Sequence, residues 1–462
     1  LTKQSDGYRQ TWGTTQNRTS MIPTKVRTQR IFAIALPIMG GMVSQSILNL
    51  VDAYFVGKLG NVALASVGLG SYAAFLAAAL VLGLGSGVQA TVARRKGEGD
   101  SSKFATPLNA GLILAIIIGF PLMALFFLIS TPLMQLLSSD PLVASTSSDY
   151  FSARVPGILA LVLNFSFRGY WNGINRSMVY MRTLIVMHIS NAILSYGFIF
   201  GAFGLPELGV YGAGLGTTLA LFIASLLYFI QCYMQARPYG FLAERPTRQA
   251  LNAIFKLSFP ASIQQFFFAA GLTALFWIVG QIGTPELSVV HVLITFVLFL
   301  ILPSMGMGLG AASLVGHALG RGDKGDAYQW GKDVTVLAVI MLTIISLPLF
   351  FFPDFALGFF LHEPHLIELG RIPLQLSALF IGVDAAGLVL MHTLLGAGDS
   401  KTVMKITIST QWMFFLPAAF IVGPTLGYGL IGVWALQLLQ RLLVALGLSY
   451  HWQQQQWAHI KV

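Results

Sequence analysis

Charged residues are scarce in this chain. Asp, Glu, Lys and Arg together make up only 10% of its 462 residues, whereas hydrophobic residues make up 55%. Soluble domains carry about 25% charged residues, so the composition excludes an ordinary soluble protein. The mean hydropathy of +0.74 indicates a chain that lies mostly within a lipid bilayer.

Cysteine and several functional motifs are also missing. Cys232 is the only cysteine, which excludes an internal disulfide bond. No ATPase motif and no HExxH sequence occur, and the loops GEGD and GRGD are too short to cradle a phosphate. Residues 1–30 are polar and lack the apolar core of a signal peptide, although Met21 could be the native start. We therefore predict no enzyme activity, no cofactor and no ATP-driven pumping.

What the chain does contain is long, unbroken apolar runs. A bilayer core of about 30 Å takes roughly 20 apolar residues per helical crossing, and unbroken runs favour helices over the alternating strands of a membrane barrel. We predict an all-α polytopic membrane protein with twelve transmembrane helices. Their approximate ranges are 31–57, 62–92, 107–130, 148–170, 183–203, 210–236, 251–280, 286–316, 333–352, 365–394, 405–423 and 429–450.

Basic residues are divided unevenly between the two sides of this membrane layout. If both termini lie on one side, that side receives all 27 Lys and Arg except Lys58, Arg154, Arg371 and Arg441. We call it the basic side. Positive charge collects on the cytoplasmic side of membrane proteins, so we predict cytoplasmic termini in a plasma (cell inner) membrane. The net charge of +10 then reflects topology and not nucleic-acid binding.

The chain also contains an internal repeat. A shift of 223 residues pairs identical residues at several places: Pro37 with Pro260, Gly57 with Gly280, Gly83 with Gly306 and Gly173 with Gly396. Each half has six crossings, so both halves enter the membrane in the same direction and are related by an axis along the membrane normal. The predicted units are a tail (1–30), an N-lobe (31–236), a linker (237–250), a C-lobe (251–450) and a second tail (451–462), with a central cleft between the lobes.

Glycines recur at helical spacing in the second and eighth spans. Small residues of this kind let membrane helices approach each other closely, and they also allow a long helix to bend. We favour the packing interpretation for Gly83, Gly85, Gly87, Gly306, Gly308 and Gly310.

Asp52 is the most informative polar residue because it stands alone in the apolar run 31–57. A charged side chain at the bilayer centre costs roughly 2.5 kcal/mol or more, so such residues usually serve a cavity, a partner or an ion path. Gln45 and Asn49 precede Asp52 at helical spacing, which places all three on one helical stripe. This stripe predicts an ion-coupling or substrate-binding site.

These residues belong to motifs of a known group. The chain resembles the multidrug and toxic compound extrusion (MATE) transporters, and most of all their DinF-like branch, over almost all of 31–450. The resemblance rests on LPIMGGMVSQSILNLVDAYFVGKLGNVALASVGL in the first two spans, on ARRKGEGD, and on LLGAGDSK with its first-half counterpart WNGINRSM. It implies two six-helix lobes around a cavity, and export of amphipathic, often cationic drugs in exchange for protons or sodium ions.

The resemblance also assigns roles to residues of the N-lobe. Asp52 matches the carboxylate of the first span, and Pro37 matches a proline at which that helix can bend. Asn191 matches an asparagine that joins the Asp in the ion site of DinF-like relatives. Ser195 stands where those relatives often carry a second Asp, which puts a two-carboxylate network in doubt.

The C-lobe matches the family pattern less completely. Asp384 matches a carboxylate used for cation coupling in the NorM-like branch, whereas the seventh-span Glu of that branch is absent from FFFAAG at Phe266. Asp384 could instead be a buried acid paired with His392 or Arg441. We therefore leave open whether it forms a second cation site.

The coupling mechanism follows from the chemistry of a buried carboxyl group. Removal from water favours its neutral form, so Asp52 could take a proton from outside and release it when a cation arrives. A sodium ion is the alternative, since carboxylate, amide and hydroxyl oxygens suit a hard cation. We favour a proton because the second acid is missing, and we regard His188, His291 and His392 as packing groups more than as proton relays.

Other functional classes compete with a monomeric exporter of small organic cations. A lipid-linked precursor flippase of the same superfamily is the main alternative, but it would need Lys or Arg in its spans to hold pyrophosphate. An intramembrane enzyme would need paired acids on neighbouring helices, and a channel would need a repeated filter sequence. Neither pattern is visible in the sequence.

Overall fold

The computed structural model describes residues 23–99 and 103–460, and every regular element within these ranges is helical. The predicted start at Met21 and most of the N-terminal tail lie outside these ranges. Twelve helical segments follow one another as α1 (Lys25–Gly57), α2 (Asn61–Glu98), α3 (Thr106–Leu137), α4 (Pro141–Arg154 and Gly157–Gly173), α5 (Ser177–Phe200), α6 (Gly209–Gln235), α7 (Arg248–Gly280), α8 (Thr284–Gly320), α9 (Lys324–Phe351), α10 (Pro364–Ala397), α11 (Ser400–Thr425) and α12 (Gly429–Gln454). Short helical turns lie at Ala202–Gly204, Arg237–Tyr239, Pro353–Gly358 and Gln456–His459.

The predicted all-α fold of membrane-spanning helices is confirmed. Eleven of these helices are long and apolar enough to cross a membrane, and the two halves of α4, bent by 46°, pass the same test together as a twelfth candidate span. The bend in α4 falls just before Gly157, where Pro156 cannot donate a backbone hydrogen bond. Helix α2 contains a turn at 80–82, whereas its repeat partner α8 is unbroken.

Helices on the basic side extend beyond the predicted spans. α1 begins at Lys25, inside the predicted tail, and α9 begins at Lys324 instead of residue 333. The side chain of Asp323 caps α9 by accepting a hydrogen bond of 2.8 Å from the backbone N–H of Asp326. Hydropathy detects only the part of a helix that lies in lipid, so these polar first turns were invisible to it.

Each repeat forms its own bundle, and the bundles meet mainly through four helices. Within the N-lobe α5 packs on α1 and α6, and within the C-lobe α10 packs on α8, α9 and α12. Between the lobes, α1 contacts α8, and α2 contacts α7 and α8. Contacts across this boundary on the basic side include Gly97 of α2 against Gly320 of α8.

The hydrophobic cores show where the lobes part. One cluster of buried side chains joins both lobes in the basic half and includes Ile34, Val88, Leu314 and Val389. On the other side of the membrane, the C-lobe has a separate core around Leu275 and Trp434. The N-lobe has its own smaller core there around Val56, Tyr150 and Ile199. The lobes are therefore joined on the basic side and separate on the opposite side.

The packing interpretation of the glycines is confirmed at the lobe boundary. A Cβ on Gly83 would lie 2.3 Å from the carbonyl oxygen of Ser258, and one on Gly87 would lie 2.2 Å from its Oγ. A Cβ on Gly306 would lie 2.7 Å from Cγ of Met39. Because real side chains do not approach so closely, these positions hold glycine to let α2 and α8 contact the other lobe.

Candidate ion and substrate site

Asp52 lies on α1, in the half of the helix that is farther from the basic side. Its side chain is half-buried, and its Oδ1 is fully buried without a hydrogen-bond partner among the described residues. The guanidinium of Arg154 acts on the charge of Asp52, and the amide of Asn191 acts on the carboxyl group as a hydrogen-bond donor. No described basic side chain comes within ion-pair distance of Asp52, and Arg154 instead donates to the hydroxyl of Tyr150 at 2.8 Å. Oδ1 is thus shielded from bulk water, and no described counter-ion fixes the carboxyl group.

Asn191 and Ser195 lie beside Asp52 on α5 and are almost completely buried. The hydroxyl of Ser195 donates to Oδ1 of Asn191 at 2.6 Å. The amide of Asn191 in turn reaches Oγ1 of Thr217 on α6 at 3.5 Å. These two hydrogen bonds fix the orientation of the Asn191 amide. Its Oδ1 faces the Ser195 hydroxyl, and its N–H group faces Oγ1 of Thr217.

Thr217 is a site residue that the sequence analysis missed. It belongs to α6, and Gly216 beside it allows α6 to contact α5: a Cβ there would lie 2.7 Å from both N and Oγ of Ser195. The run GAGLGTT, which begins at Gly212, was the available signal. Its alternate glycines indicate a close helix contact, and the threonines that follow supply hydroxyl groups to it.

A second polar network continues along the stripe toward the basic side. His188 of α5 places Nδ1 2.9 Å from the hydroxyl of Ser44 and donates from Nε2 to Oε1 of Gln45 at 3.1 Å. Gln45 then donates to Oδ1 of Asn49 at 3.1 Å. The predicted polar stripe of α1 is therefore connected to α5 through a histidine, while Gln45 and Asn49 remain exposed on the surface of the lobe.

Pro37 lies within α1, and the helix continues through it without interruption. Pro37 is buried, and the glycines that follow it let α5 approach: a Cβ on Gly41 would lie 3.1 Å from the ring of Tyr180. The predicted bending role of Pro37 stays a prediction, because α1 is a single helix in this state.

Asp384 has a very different environment. It lies on α10 in the C-lobe, and Nη1 of Arg441 on α12 donates to its carboxylate in a buried ion pair. His392, the other candidate partner, uses Nδ1 to donate to the carbonyl oxygen of Leu388 at 2.8 Å. The geometry satisfies Asp384 with an internal cation, and the structure does not bring it together with Asp52.

Fold and site together define a helical membrane protein made of two parallel repeats, the first of which contains a half-buried acid that has no described counter-ion. A model of the MatE family matches residues 37–197 and 260–421, one match in each lobe. The chain therefore belongs to the MATE family of transporters. The branch within the family stays a prediction.

Curated relatives match along most of the chain. A protein of Thermotoga maritima named probable multidrug resistance protein NorM is 24% identical over 412 residues, which cover 88% of each chain. A protein of the same name from Neisseria meningitidis is 24% identical over 442 residues and covers 94% of this chain and 95% of its own.

Solved structures match the fold equally well. One is described as the outward-facing conformation of a multidrug resistance MATE family transporter; it has a TM-score of 0.85 at 21% identity and covers 94% of this chain and 97% of its own. Another, a transporter from Pyrococcus furiosus whose binding pocket is described as having reverse polarity, has a TM-score of 0.85 at 21% identity and covers 97% and 100%. At this identity they establish the two-lobed fold alone.

Proposed function

We propose that this chain is a secondary active exporter of amphipathic organic cations that couples export to inward movement of protons. The single observation that carries the proposal is the buried, unpartnered Oδ1 of Asp52. A buried acceptor without a partner is costly, so a proton or a cationic group that reaches Asp52 would be bound favourably. The names of the curated relatives support multidrug export.

The fold supplies the movement that such coupling needs. The lobes share a core on the basic side and have separate cores on the opposite side. If the basic side is cytoplasmic, as the charge distribution predicts, the cleft faces outward. A whole cleft is formed by one chain, so we propose that the monomer is the working unit in the plasma membrane.

Protonation of Asp52 would act as the switch between substrate and proton. A neutral carboxyl group tolerates the buried position, whereas the carboxylate attracts a cation and the N–H group of Asn191. Loss of the charge would weaken the contact of α1 with α5, and α1 could then bend at Pro37. Proton and substrate exchange at the same carboxyl group, so the flux of one depends on the flux of the other. The inward proton gradient therefore drives substrate export.

Three features favour the proton over sodium and the exporter over a flippase. Ser195 stands where a second carboxylate would strengthen a cation site, so the N-lobe site contains one acid and not two. Arg441, the basic residue deep in the last span, is neutralised by Asp384 and offers no site for pyrophosphate. The relatives named above carry multidrug resistance names.

Efflux of a fluorescent organic cation from proteoliposomes tests the proposal, with proton and sodium gradients imposed separately. We expect the proton gradient alone to drive efflux, and Asp52→Asn to abolish this coupling. Asp354→Asn is the matched control, because Asp354 is an exposed acid paired with Arg371 away from the site. Efflux that follows only the sodium gradient, or that persists at the parent rate in Asp52→Asn, would contradict the proposal.

A further inference from the structure

An ion cluster joins the two lobes at the basic side, away from the site described above. Arg27, in the first turns of α1, donates from Nη1 to Oδ1 of Asp326 at 2.7 Å and from Nε to Oδ2 of Asp333. Both acids belong to α9 of the C-lobe. The Arg27 guanidinium also lies over the ring of Trp330, with Cζ 3.6 Å from the ring centroid. One side chain of the N-lobe thus contacts three of the C-lobe.

The C-lobe holds this acceptor site in place with its own residues. The indole N–H of Trp330 donates to Oδ2 of Asp326 at 2.9 Å, and the amide of Gln329 donates to Oδ1 of Asp333 at 2.8 Å. The side chains of Arg27, Asp326 and Asp333 are 18%, 17% and 3% exposed. Partial burial weakens screening by salt, and a charge network with a fixed geometry contributes more than an isolated surface pair.

The repeat shows that the scaffold itself does not need this cluster. The equivalent contact of the other half lies between α7 and α3, where the same shift places Ala250 for Arg27, Pro107 for Trp330 and Ala110 for Asp333. Lys103 takes the position of Asp326. The α7–α3 contact therefore forms without the ion cluster, so the cluster serves something other than the packing of the bundles.

We propose that Arg27, Asp326, Trp330 and Asp333 form an ionic lock that holds the lobes together on the basic side and opens each time the cleft opens to that side. The inference rests on the alternating access proposed above. Movement of α1 away from α9 breaks both ion pairs of Arg27 and the ring contact together. Asp326 keeps its ion pair with Arg321 of the C-lobe at 2.9 Å, and water solvates Arg27 and Asp333. The lock sets the balance between the two orientations of the empty protein.

Distances between spin labels on the opposite side measure this balance directly. Lys58 and Gln281 are exposed repeat-equivalent residues at the ends of α1 and α7, one in each lobe, and Cys232 is fully buried. The full chain with Lys58→Cys and Gln281→Cys is labelled in lipid nanodiscs. We expect Arg27→Gln to shift the population ratio about tenfold toward shorter distances, which corresponds to about 1.4 kcal/mol. Arg27→Lys, which keeps the charge but loses the planar fork, is expected to give a smaller shift.

A control variant and a salt measurement complete the experiment. Arg371→Gln removes a bidentate ion pair within the C-lobe and is expected to leave the distances unchanged. High salt applied to the unsubstituted lock is expected to shift them in the same direction as Arg27→Gln but by less, because partial burial weakens the screening. This measurement covers the case of a variant that does not fold. Distances that respond to neither Arg27→Gln nor salt would overturn the lock. If the label distances respond to Arg27→Gln and to salt but the parent protein exports no drug, the proposed function is overturned and the lock still stands.

Discussion

The two lobes share one helical scaffold but place their polar residues at different depths and on different helices. In the N-lobe the polar stripe lies on α1 as Gln45, Asn49 and Asp52, and the repeat shift of 223 puts Phe268, Leu272 and Leu275 at these positions in the C-lobe. Leu275 is part of the apolar C-lobe core. The same helix position is thus a candidate site in one repeat and ordinary core in the other.

The reverse holds for the ion pair in the C-lobe. Asp384 and Arg441 bind each other across α10 and α12. Their N-lobe equivalents are Leu161 and, with the three-residue slip of the last helix of each lobe, Leu221. The difference teaches that a buried acid is not informative by itself. An acid with its own guanidinium is fixed, whereas an acid without a counter-ion can exchange one ligand for another.

Removal of each acid should produce the largest contrast. Asp384→Leu leaves Arg441 buried without a counter-ion, so we expect a loss of about 3–5 kcal/mol in unfolding free energy. The double variant Asp384→Leu with Arg441→Leu copies the N-lobe and should recover most of it. Asp52→Leu removes an acid that has no counter-ion to leave behind, so its effect should be small, neutral or stabilising. Unfolding midpoints in detergent micelles compare the four proteins, and an equal loss for both acids would break the distinction.

Gly216→Ala should have the next largest effect, because the C-lobe position equivalent to Gly216 is Leu436 and only the N-lobe needs the close contact with α5. The added Cβ would lie 2.7 Å from the backbone N of Ser195, so we expect about 1–3 kcal/mol of destabilisation together with slower efflux. Gly68→Ala is the matched control, since nothing lies within 4 Å of its added Cβ. If the Gly216→Ala protein has the stability and the efflux rate of the parent, α5 and α6 tolerate a wider separation at this position and the prediction is wrong.

His188→Leu should have a smaller effect on stability, and the pH dependence of its efflux distinguishes a packing role of His188 from proton transfer. It removes the hydrogen bonds to Ser44 and Gln45, at a cost of about 1–2 kcal/mol. If His188 only packs and orients Gln45, the efflux rate falls by the same factor at every pH. A changed pH dependence of efflux would instead assign proton transfer to His188.

Ser195→Ala should have the smallest effect, because it gives the N-lobe the residue that the C-lobe carries at the equivalent Ala418. The loss of one hydrogen bond to Asn191 is expected to cost about 0.5–1.5 kcal/mol. We expect weaker substrate binding with coupling to protons intact. Substrate affinity and the imposed-gradient assay measure the two separately, and loss of coupling would make Ser195 part of the ion site itself.

The number and order of the helices could be predicted because lipid imposes a simple requirement on each span. The helix starts could not, since Lys25 and Lys324 begin polar turns that no apolar run marks. The bend before Gly157 in α4 was also missed, although Pro156 marks it. Hydropathy indicates which part of a helix lies in lipid. It contains no information on the course of the helix outside the lipid.

The candidate site was predictable only in part. Asp52 and Asn191 followed from an unusual charge and from the family motif. Thr217 and the bond between His188 and Ser44 were missed, because contacts between α1, α5 and α6 join residues that are far apart in sequence. The Arg441 partner of Asp384 was one of two alternatives, and only the arrangement of α10 and α12 decides between it and His392.

The even number of crossings in each half has a consequence for how such a chain could arise. A half with six spans returns to the side from which it started, so a tandem copy enters the bilayer with its loops on the same faces as the original. Fusion of two such halves needs no inversion and no added span. After fusion each copy can change independently, which is how one ancestral surface could become a reactive pocket in one half and plain hydrocarbon in the other.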